Sequence, residues 1–313
     1  MHRYIFKRLL LMIPIVLGVS FVIFSILAIT PGDPASRILG AGAPQEAIDE
    51  LNHQLGHDLP FFERYITYLY NVIFKRDFGT SYMKKTPVLK EVFSRLPTSL
   101  TVAFLALLCA SCIGIPIGVL SAVKQYTLWD TIPTVTALFL AAVPGFWLGM
   151  MFLLIFSLKL GWFPSLWTGA FSDYILPMFS LGLPYAARQL RFTRSSMLET
   201  IRQDYVRTAR AKGASERSVI WKHAMKNALL PVITVIGDNF SGLIGGAIVT
   251  ETLYGIPGLG SLIVNAIKQK DVPIVMAATI FLATIFAFIM LGVDILYAYV
   301  DPRIKAKYAN ERG

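Results

Sequence analysis

Apolar residues run together along this chain in blocks that are longer than the one-sided or alternating patterns of a water-soluble domain. Six blocks come near or exceed the roughly 20 residues that a helix needs to cross the hydrocarbon core of a membrane. The fourth block is the shortest, and Pro177 and Pro184 interrupt it. The pattern predicts an all-α polytopic membrane protein with six transmembrane helices. These helices are Leu9–Ile29, Ser99–Val123, Ile132–Leu158, Tyr174–Ala187, Ala228–Thr250 and Ile274–Val300.

The longest polar interval, residues 30–98, has helical periodicity of its own. Apolar and aromatic side chains recur at helical spacing near Gln45–Leu55 and across Phe61–Phe74. A turn cluster, Asp77-Phe-Gly-Thr-Ser81, follows the second stretch. We therefore expect a small ordered cap on the extracytoplasmic face, between the first two spans.

The charge of the chain reports on its orientation in the membrane. Hydrophobic residues make up 55% of the chain and charged residues 15%, against about 25% charged in an average soluble domain. The formal net charge is +10, but the basic residues lie in loops between apolar spans, where Lys and Arg mark the cytoplasmic side. The first span follows Arg3, Lys7 and Arg8 and is too long for a signal peptide. The charge thus indicates membrane topology, with both termini cytoplasmic and membrane lipid around the spans, and it does not indicate nucleic-acid binding.

Residues 188–226 form a basic segment with ten Lys or Arg and only three acidic residues. Good helix formers fill Thr193–Ala211, and Lys212 and Gly213 then give a cationic last turn and a helix-stopping glycine. Ser215 is placed to cap a second helix. Two short helices joined at a glycine form a knob that fits a groove on a partner protein. A solvated basic loop that only fixes the topology is the alternative interpretation.

Ionisable residues inside apolar spans are expensive to bury and are therefore functional candidates. Asp238 lies near the middle of the fifth span beside Asn239. It either lines a translocation path, where it would meet a peptide amine, or forms a structural hydrogen bond between helices. Gly245 and Gly246 allow the close helix approach expected at an interface or gate. Glu251 begins a glycine-rich break after the span, where the backbone can bend into a protein-lined cavity.

Other reactive residues give little indication of chemistry. Cys109 and Cys112 have the spacing of a redox pair, but both lie in an apolar span, where they are interpreted as small packing residues. His53 and His57 could share one helical face, but Gly56 lies between them and no third metal ligand is evident. The sequence contains no phosphate-binding loop. We expect neither a metal site nor a catalytic site.

The basic segment resembles the inner-membrane permease subunits of ATP-binding-cassette importers. Their signature is a Glu-Ala-Ala, three residues, Gly pattern with an Ile-x-Leu-Pro ending, and Arg207-Thr-Ala209, Gly213 and Leu230-Pro231 occupy these positions. Arg207 in place of Glu and the longer interval to Leu230-Pro231 are both similar to the oligopeptide, dipeptide and nickel branch of the family. Further segments similar to this branch are Phe6-Lys-Arg-Leu9, Pro31-Gly-Asp-Pro34, Asp77-Phe-Gly-Thr-Ser81, Leu96-Pro-Thr-Ser-Leu100, Tyr174-Ile-Leu-Pro177, Phe192-Thr-Arg194, Pro257-Gly-Leu-Gly260 and Asp301-Pro302.

The resemblance implies the type I importer permease fold, divided along the chain into four regions. The N-terminal transmembrane helix is residues 1–29, and the extracytoplasmic cap is residues 30–98. The transmembrane type-1 domain is residues 99–301, with its coupling helix region near 204–226. A cytoplasmic tail, residues 302–313, follows.

The resemblance also implies a function, which is that of a permease subunit forming half of a translocation path for short peptides. The partners would be a second homologous permease, two cytoplasmic ATPases that hold ATP and Mg²⁺, and an extracytoplasmic solute-binding protein. This chain would bind no cofactor, catalyse no reaction and lie in a bacterial inner or plasma membrane. The residues implied at the ATPase contact are Asp204, Tyr205, Arg207, Thr208, Ala209, Ala211, Lys212, Gly213 and Ser215.

Three alternatives to this function remain at this stage. The same kind of transporter also carries nickel or other metal chelates and glutathione, and the sequence does not choose among these cargoes. A secondary transporter driven by an ion gradient needs ion sites at the membrane midplane and inverted halves, for which only Asp238 is a candidate. A purely structural membrane anchor would not need the glycine-rich features of the fifth span.

Overall fold

The computed structural model describes residues 2–30, 34–40 and 42–300, and helices account for most of them. An isolated bridge between Thr80 and Pro87 is the β-type pairing within that part of the chain. The helices are α1 (His2–Ile29), α2 (Pro34–Leu39), α3 (Gln45–Gln54), α4 (Phe61–Tyr70), α5 (Val88–Val123), α6 (Leu128–Ala142), α7 (Gly145–Phe152), α8 (Ile175–Ile201), α9 (Asp204–Ala211), α10 (Glu216–Ser218), α11 (Met225–Tyr254), α12 (Leu259–Gln269) and α13 (Val272–Val300).

Four helices of the described chain are long and apolar enough to cross a membrane, and they correspond to the first, second, fifth and sixth predicted spans. They are Ile5–Ile29, Val88–Val123, Glu216–Tyr254 and Val272–Ile295. The second begins eleven residues before the predicted Ser99. The six-span count itself remains a prediction, because the other two segments differ from the expected single apolar helix.

The predicted third span, Ile132–Leu158, is not one continuous helix. It is divided into α6 and a second segment, Gly145–Lys159, with a bend of 102° between them. The bend falls at Val143, whose backbone is extended, and at the Pro144 that follows. Proline disfavours helical backbone in the residue before it, which explains the break.

The helix at the predicted fourth span, Tyr174–Ala187, is longer than that span. Helix α8 continues to Ile201, with Pro177 in its first turn and Pro184 in its interior. Pro177 is tolerated because the first amide groups of a helix have no partner within the helix. The basic residues that end the hydropathy signal at Arg188 are therefore still inside the same helix.

One compact unit of the chain comprises Phe6–Ser99 and Pro257–Ala287. Its core includes Val88 and Val92 of α5, Leu259 and Ile263 of α12, and Ala277 of α13. Helix α12 was not predicted, because the glycine-rich segment before it suggested only a break. The side chain of buried Asp271 accepts hydrogen bonds from Ser81 Oγ and, at 3.1 Å, from the backbone N–H of Tyr82, which hold the predicted turn in place.

The second and larger compact unit is Leu100–Ile256, together with residues 2–5 and 288–300 of the described chain. Helix α8 packs closely on α5 within this unit through glycines. A Cβ atom added at Gly114 would lie 2.6 Å from the Ala186 carbonyl oxygen, and one added at Gly118 would lie 2.7 Å from that of Leu190. Such small residues let two helix backbones approach directly. The positions of α8 and its side chains are thus fixed by backbone contact.

The cysteines and histidines are placed as packing and surface residues. Cys109 is buried against Gly182, but Cys112 is exposed, so only one of the two cysteines packs as predicted. Helix α3 ends at Gln54, and His53 and His57 therefore do not share one helical face. His53 Nδ1 lies 2.7 Å from Asp58 Oδ2, and this hydrogen bond lowers the pKa of the Asp58 carboxyl.

Candidate functional site

The predicted turn at Gly213 is a specific backbone motif. Helix α9 ends at Ala211, and Gly213 follows in the left-handed conformation with φ +80°. The Gly213 amide donates to the Arg210 carbonyl at 2.9 Å, and the Ala214 amide donates to that of Ala209 at 3.3 Å. These two bonds define a Schellman motif, in which glycine is favoured because it adopts positive φ without strain. The predicted helix stop is confirmed.

Beyond the turn, Ser215 caps the next helix as predicted. Its backbone is extended, and its hydroxyl accepts a hydrogen bond from the Ser218 amide at 3.4 Å. Arg210 Nε donates to Glu216 Oε1 at 2.7 Å, which joins the end of α9 to the start of α10 across Gly213. The turn is thus held by backbone hydrogen bonds, a cap and an ion pair.

The helices on the two sides of the turn differ from the predicted pair of short helices. The segment Thr193–Ala211 is interrupted, because α8 ends at Ile201 and α9 begins at Asp204. The helix that begins at Glu216 continues through a π-helical stretch, Val219–Ala224, to Tyr254. At 1.5 Å per residue it is about 58 Å long.

The inner side of α9 is anchored in an apolar cluster. Val206 and Ala209 of α9 are buried together with Val119 of α5, Met197 of α8 and Val219 after α10. Three long helices thus meet at this cluster and hold α9 as part of one packed body. Ala209 is buried in this cluster, and the ATPase contact that the family signature implied for it stays a prediction.

The other predicted contact residues lie on the surface. Asp204 and Arg207 are among the most exposed side chains, and the two are 3.8 Å apart. Trp221, which sequence reasoning did not select, exposes half of its surface one turn and a half into the next helix. Exposed aromatic and Arg residues are typical of protein interfaces. The exposed predicted residues are Asp204, Tyr205, Arg207, Thr208, Ala211, Lys212, Gly213 and Ser215.

An ion pair with a buried carboxylate joins α8 to the first turn of α6. Arg194 of α8 binds Asp130 through two hydrogen bonds, Nε to Oδ1 at 2.6 Å and Nη2 to Oδ2 at 2.8 Å. Ser121 Oγ and the Tyr126 amide also donate to the Asp130 carboxylate, at 2.5 and 3.0 Å. The side chain of Asp130 is only 6% exposed. Sequence reasoning missed Asp130. The one sequence feature that marks this residue is its position in the first turn of the helix that follows Thr127.

The candidate path residues are not all on one face of α11. Asp238 is half exposed, and Gly245 has open space where a Cβ atom would lie. Gly246 packs toward α8, because a Cβ atom there would lie 3.0 Å from Leu181 Cδ1. Asn239 and Glu251 are buried, and their part in a path stays a prediction.

Asp238 is paired with an arginine that sequence reasoning had placed in a loop. Arg188 Nη2 donates to Asp238 Oδ2 at 2.7 Å, between the middle of α8 and the middle of α11. Arg188 and Arg191 line a cavity of about 580 Å³ beside Tyr185. Asp238 thus forms a bond between helices, which was its structural alternative, while its side chain stays half exposed. The three- and four-residue spacing of Tyr185, Arg188, Arg191 and Ser195 could have indicated one helical face.

Comparison with known protein families agrees with this geometry. Residues 114–306 match the model of the family described as binding-protein-dependent transport system inner membrane component. Residues 1–103 match the N-terminal model of the same transport system membrane component. The chain belongs to this family. The permease resemblance found in the sequence is thereby confirmed.

Two curated relatives match nearly the whole permease. The dipeptide transport system permease protein DppB of Alkalihalophilus pseudofirmus is 39% identical, covering 97% of this chain and 100% of the relative. The glutathione transport system permease protein GsiC of Escherichia coli K12 is 38% identical, covering 98% of this chain and 100% of the relative. The chain is therefore a permease of the ATP-binding-cassette importer class, in a family of multi-pass inner-membrane proteins.

A solved structure supports the fold. A chain of the MetNI methionine ABC transporter, crystallised in inward-facing conformations, matches with a TM-score of 0.56. The match covers 67% of the permease and 95% of that chain at 19% sequence identity. At this identity the likeness concerns the fold alone, which is the type I importer permease fold expected from the sequence.

Proposed function

We propose that this permease and a second, homologous permease form the translocation path of an importer for short peptides. A solute-binding protein delivers the peptide on the extracytoplasmic side. The support for peptides is the 39% identity to a dipeptide permease over nearly the whole chain. The exposed face of α11 at Asp238 and Gly245 supports a path or a partner contact at that helix.

We propose that two separate ATPases drive transport by binding the surface formed by α9 and the turn at Gly213. The observation that carries this proposal is the combination of an exposed charged face with a buried anchor in three long helices. A partner that pushes on such a rigid body moves the spans, whereas a mobile loop would absorb the movement. The sequence has no phosphate-binding loop, so ATP and Mg²⁺ bind the partners.

The proposed topology has six spans with both termini in the cytoplasm. The bent pair, α6 and Gly145–Lys159, serves as the third span, and the apolar first part of α8 serves as the fourth. The eight basic residues of 194–226 support a cytoplasmic location for the end of α8, for α9 and for the turn. The predicted cytoplasmic tail, residues 302–313, lies outside the described residues.

Glutathione is the second candidate cargo, because a glutathione permease is 38% identical over an equal share of the chain. Glutathione is itself a small peptide with carboxylate groups, so one path chemistry serves both cargoes. Metal chelates, nickel among them, are further candidates, because the branch that the sequence resembles also carries nickel. Transport assays with competing cargoes would separate these candidates.

The first experiment is co-purification of the tagged permease from its native membrane, followed by reconstitution into vesicles. We expect a second permease and two ATPases to co-purify. Uptake of a labelled dipeptide should require ATP and the solute-binding protein. A chain that purifies alone and transports under an ion gradient would contradict the proposal.

The ATPase contact is tested in the same preparation with Lys212→Glu. The change places a negative charge at the exposed end of α9 without touching its buried anchor, so ATPase should be lost from the complex while the permease still folds. Lys268→Glu is the matched control, because Lys268 is exposed on α12, outside the proposed contact. Equal ATPase recovery with both variants would exclude α9 as the contact.

A further inference from the structure

Two arginines occupy the wall of a cavity in the larger unit that is otherwise largely apolar. Arg188, Arg191, Tyr185, Phe192 and Ser195 come from α8, and Ala141 comes from α6. The cavity volume, about 580 Å³, is within the range of sites that hold a small organic ligand. Side chains of this kind combine apolar contact with a few fixed charges, which is the usual composition of a ligand site.

The position of Arg188 in the middle of α8 indicates that it does more than fix the topology of the chain in the membrane. Arg188 lies thirteen residues from Ile175 and thirteen from Ile201, the two ends of the helix. It is therefore about 20 Å from either end. A charged side chain so far along a helix of a membrane protein is expensive unless it faces a polar cavity or a partner charge. Arg188 has both.

The charges at the cavity do not balance. Asp238 neutralises Arg188 across the 2.7 Å contact, and each of the two side chains is about half exposed. Arg191 is exposed and takes part in none of the ion pairs formed within residues 2–30, 34–40 and 42–300. One positive charge is thus in excess beside an ion pair that solvent can reach.

We propose that Arg188, Arg191 and Asp238 form a transit site for a zwitterionic substrate, in which the arginines bind the carboxylate and Asp238 binds the ammonium group. This inference rests on the proposed peptide-import function. The substrate exchanges partners with the protein: its carboxylate pairs with Arg188, and its ammonium group pairs with Asp238. The excess charge of Arg191 favours substrates that present a carboxylate.

The exchange suits a transport path for a physical reason. The Arg188–Asp238 pair is lost when the substrate pairs form, so the net gain from binding is small. A site on a path must bind strongly enough to be entered and weakly enough to be left. When the substrate leaves, the two side chains pair again, so neither charge is left unpaired.

The experiment uses the complete transporter in vesicles, with the solute-binding protein saturated by each peptide in turn, as checked by calorimetry. Initial ATP-dependent uptake of a labelled tripeptide is compared with uptake of the same tripeptide as its C-terminal amide. The quantity compared between variants is the ratio of the uptake rate of the free acid to that of the amide. Because the solute-binding protein is unchanged and saturated, a change in this ratio reports on the permease. We expect Arg191→Gln and Arg188→Gln to reduce the preference for the free acid by about tenfold, the value of one charge-assisted hydrogen bond.

Asp238→Asn is measured with N-acetylated and free-amine peptides, and it should reduce the preference for the free amine. Lys124→Gln is the matched control, because it also removes one exposed positive charge but lies in the loop after α5. It should leave both ratios unchanged.

The double variant Arg188→Asp with Asp238→Arg keeps an ion pair and tests a purely structural role. It should assemble normally and still show a reduced preference for the free acid.

The outcomes separate this inference from the proposed function. If the wild-type transporter takes up peptide with ATP but no variant changes either ratio, the transit site is wrong and the importer stands. If the exchanged pair restores wild-type preference in full, the pair is structural and the inference is again wrong. If the wild-type protein shows no ATP-dependent uptake of peptide, the proposed function fails and the site fails with it.

Discussion

Gly213 shows how a single backbone conformation shapes the proposed ATPase contact. Its φ of +80° lies in the left-handed region, and no atom lies within 4 Å of where a Cβ atom would be. The requirement for glycine is therefore one of backbone conformation and not of space. Residues with a side chain cost about 1–2 kcal/mol in this region, and Asn is the side-chain residue that tolerates it best.

We expect Gly213→Val to weaken ATPase association and coupled ATP hydrolysis several-fold, because a β-branched residue opens the turn and moves α9. Gly213→Asn should keep most of both. The measurement is ATP hydrolysis stimulated by loaded solute-binding protein, together with recovery of the ATPase on purification. Equal behaviour of the two variants would show that positive φ at this position has no part in coupling.

Asn239 is a residue whose side chain, and not its backbone, is unusual: a polar group buried without a hydrogen-bond partner in the described part of the chain. It is fully buried in α11, and its amide oxygen and nitrogen make no hydrogen bond to the described part of the chain. We expect Asn239→Leu to fold and to raise the melting temperature, because an unpaired buried amide costs about 1–3 kcal/mol. Thermal unfolding in detergent measures this effect. A fall in the melting temperature would mean that the amide has a stabilising partner, such as a bound water or the second permease.

At the scale of helices, α8 is the element on which the others depend. It approaches α5 through Gly114 and Gly118, approaches α11 at Gly246, and carries Arg194 to the base of α6. Close glycine contacts fix its position along its length, and the ion pair fixes its end. Helix α6 begins beside Asp130, so this pair also sets where the bent helix pair starts.

We expect Asp130→Asn to destabilise the permease by about 3 kcal/mol, because removing one member of a buried pair leaves the other charge uncompensated. A double-mutant cycle with Arg194→Gln should show strong coupling, with the double variant little worse than Asp130→Asn alone. Unfolding followed by thermal shift gives each value. Additive losses would mean that the two side chains stabilise the protein independently.

At the scale of the whole molecule, the orientation in the membrane is the property that the proposed function most needs. In a background without the native cysteines, Cys109→Ser and Cys112→Ser, single cysteines report which side each loop occupies. We expect Ser215→Cys to react with a membrane-impermeant reagent only from the cytoplasmic side. Leu166→Cys, in the exposed segment between the third and fourth spans, should react only from outside. Labelling of both from one side would rule out the six-span arrangement.

The sequence by itself determined the class of molecule and its strongest local features. Runs of apolar residues gave the positions of four spanning helices, because burial in lipid demands about 20 apolar residues whatever the fold. Gly213 and Ser215 were identified correctly as a stop and a cap, because these signals act within a few residues of the chain. The nearly end-to-end resemblance indicated the importer permease family for the same kind of reason, since it rests on the order of residues alone.

Only the tertiary structure decided which distant residues meet. Arg188 is fifty residues from Asp238 in the sequence, and hydropathy placed Arg188 in a loop because a charge ends an apolar run. Packing against α5 and α11 keeps that stretch helical and brings the two charges together. The burial of Ala209 was likewise decided by three helices meeting beneath α9, since no signal within α9 distinguishes a small residue that packs from one that binds a partner.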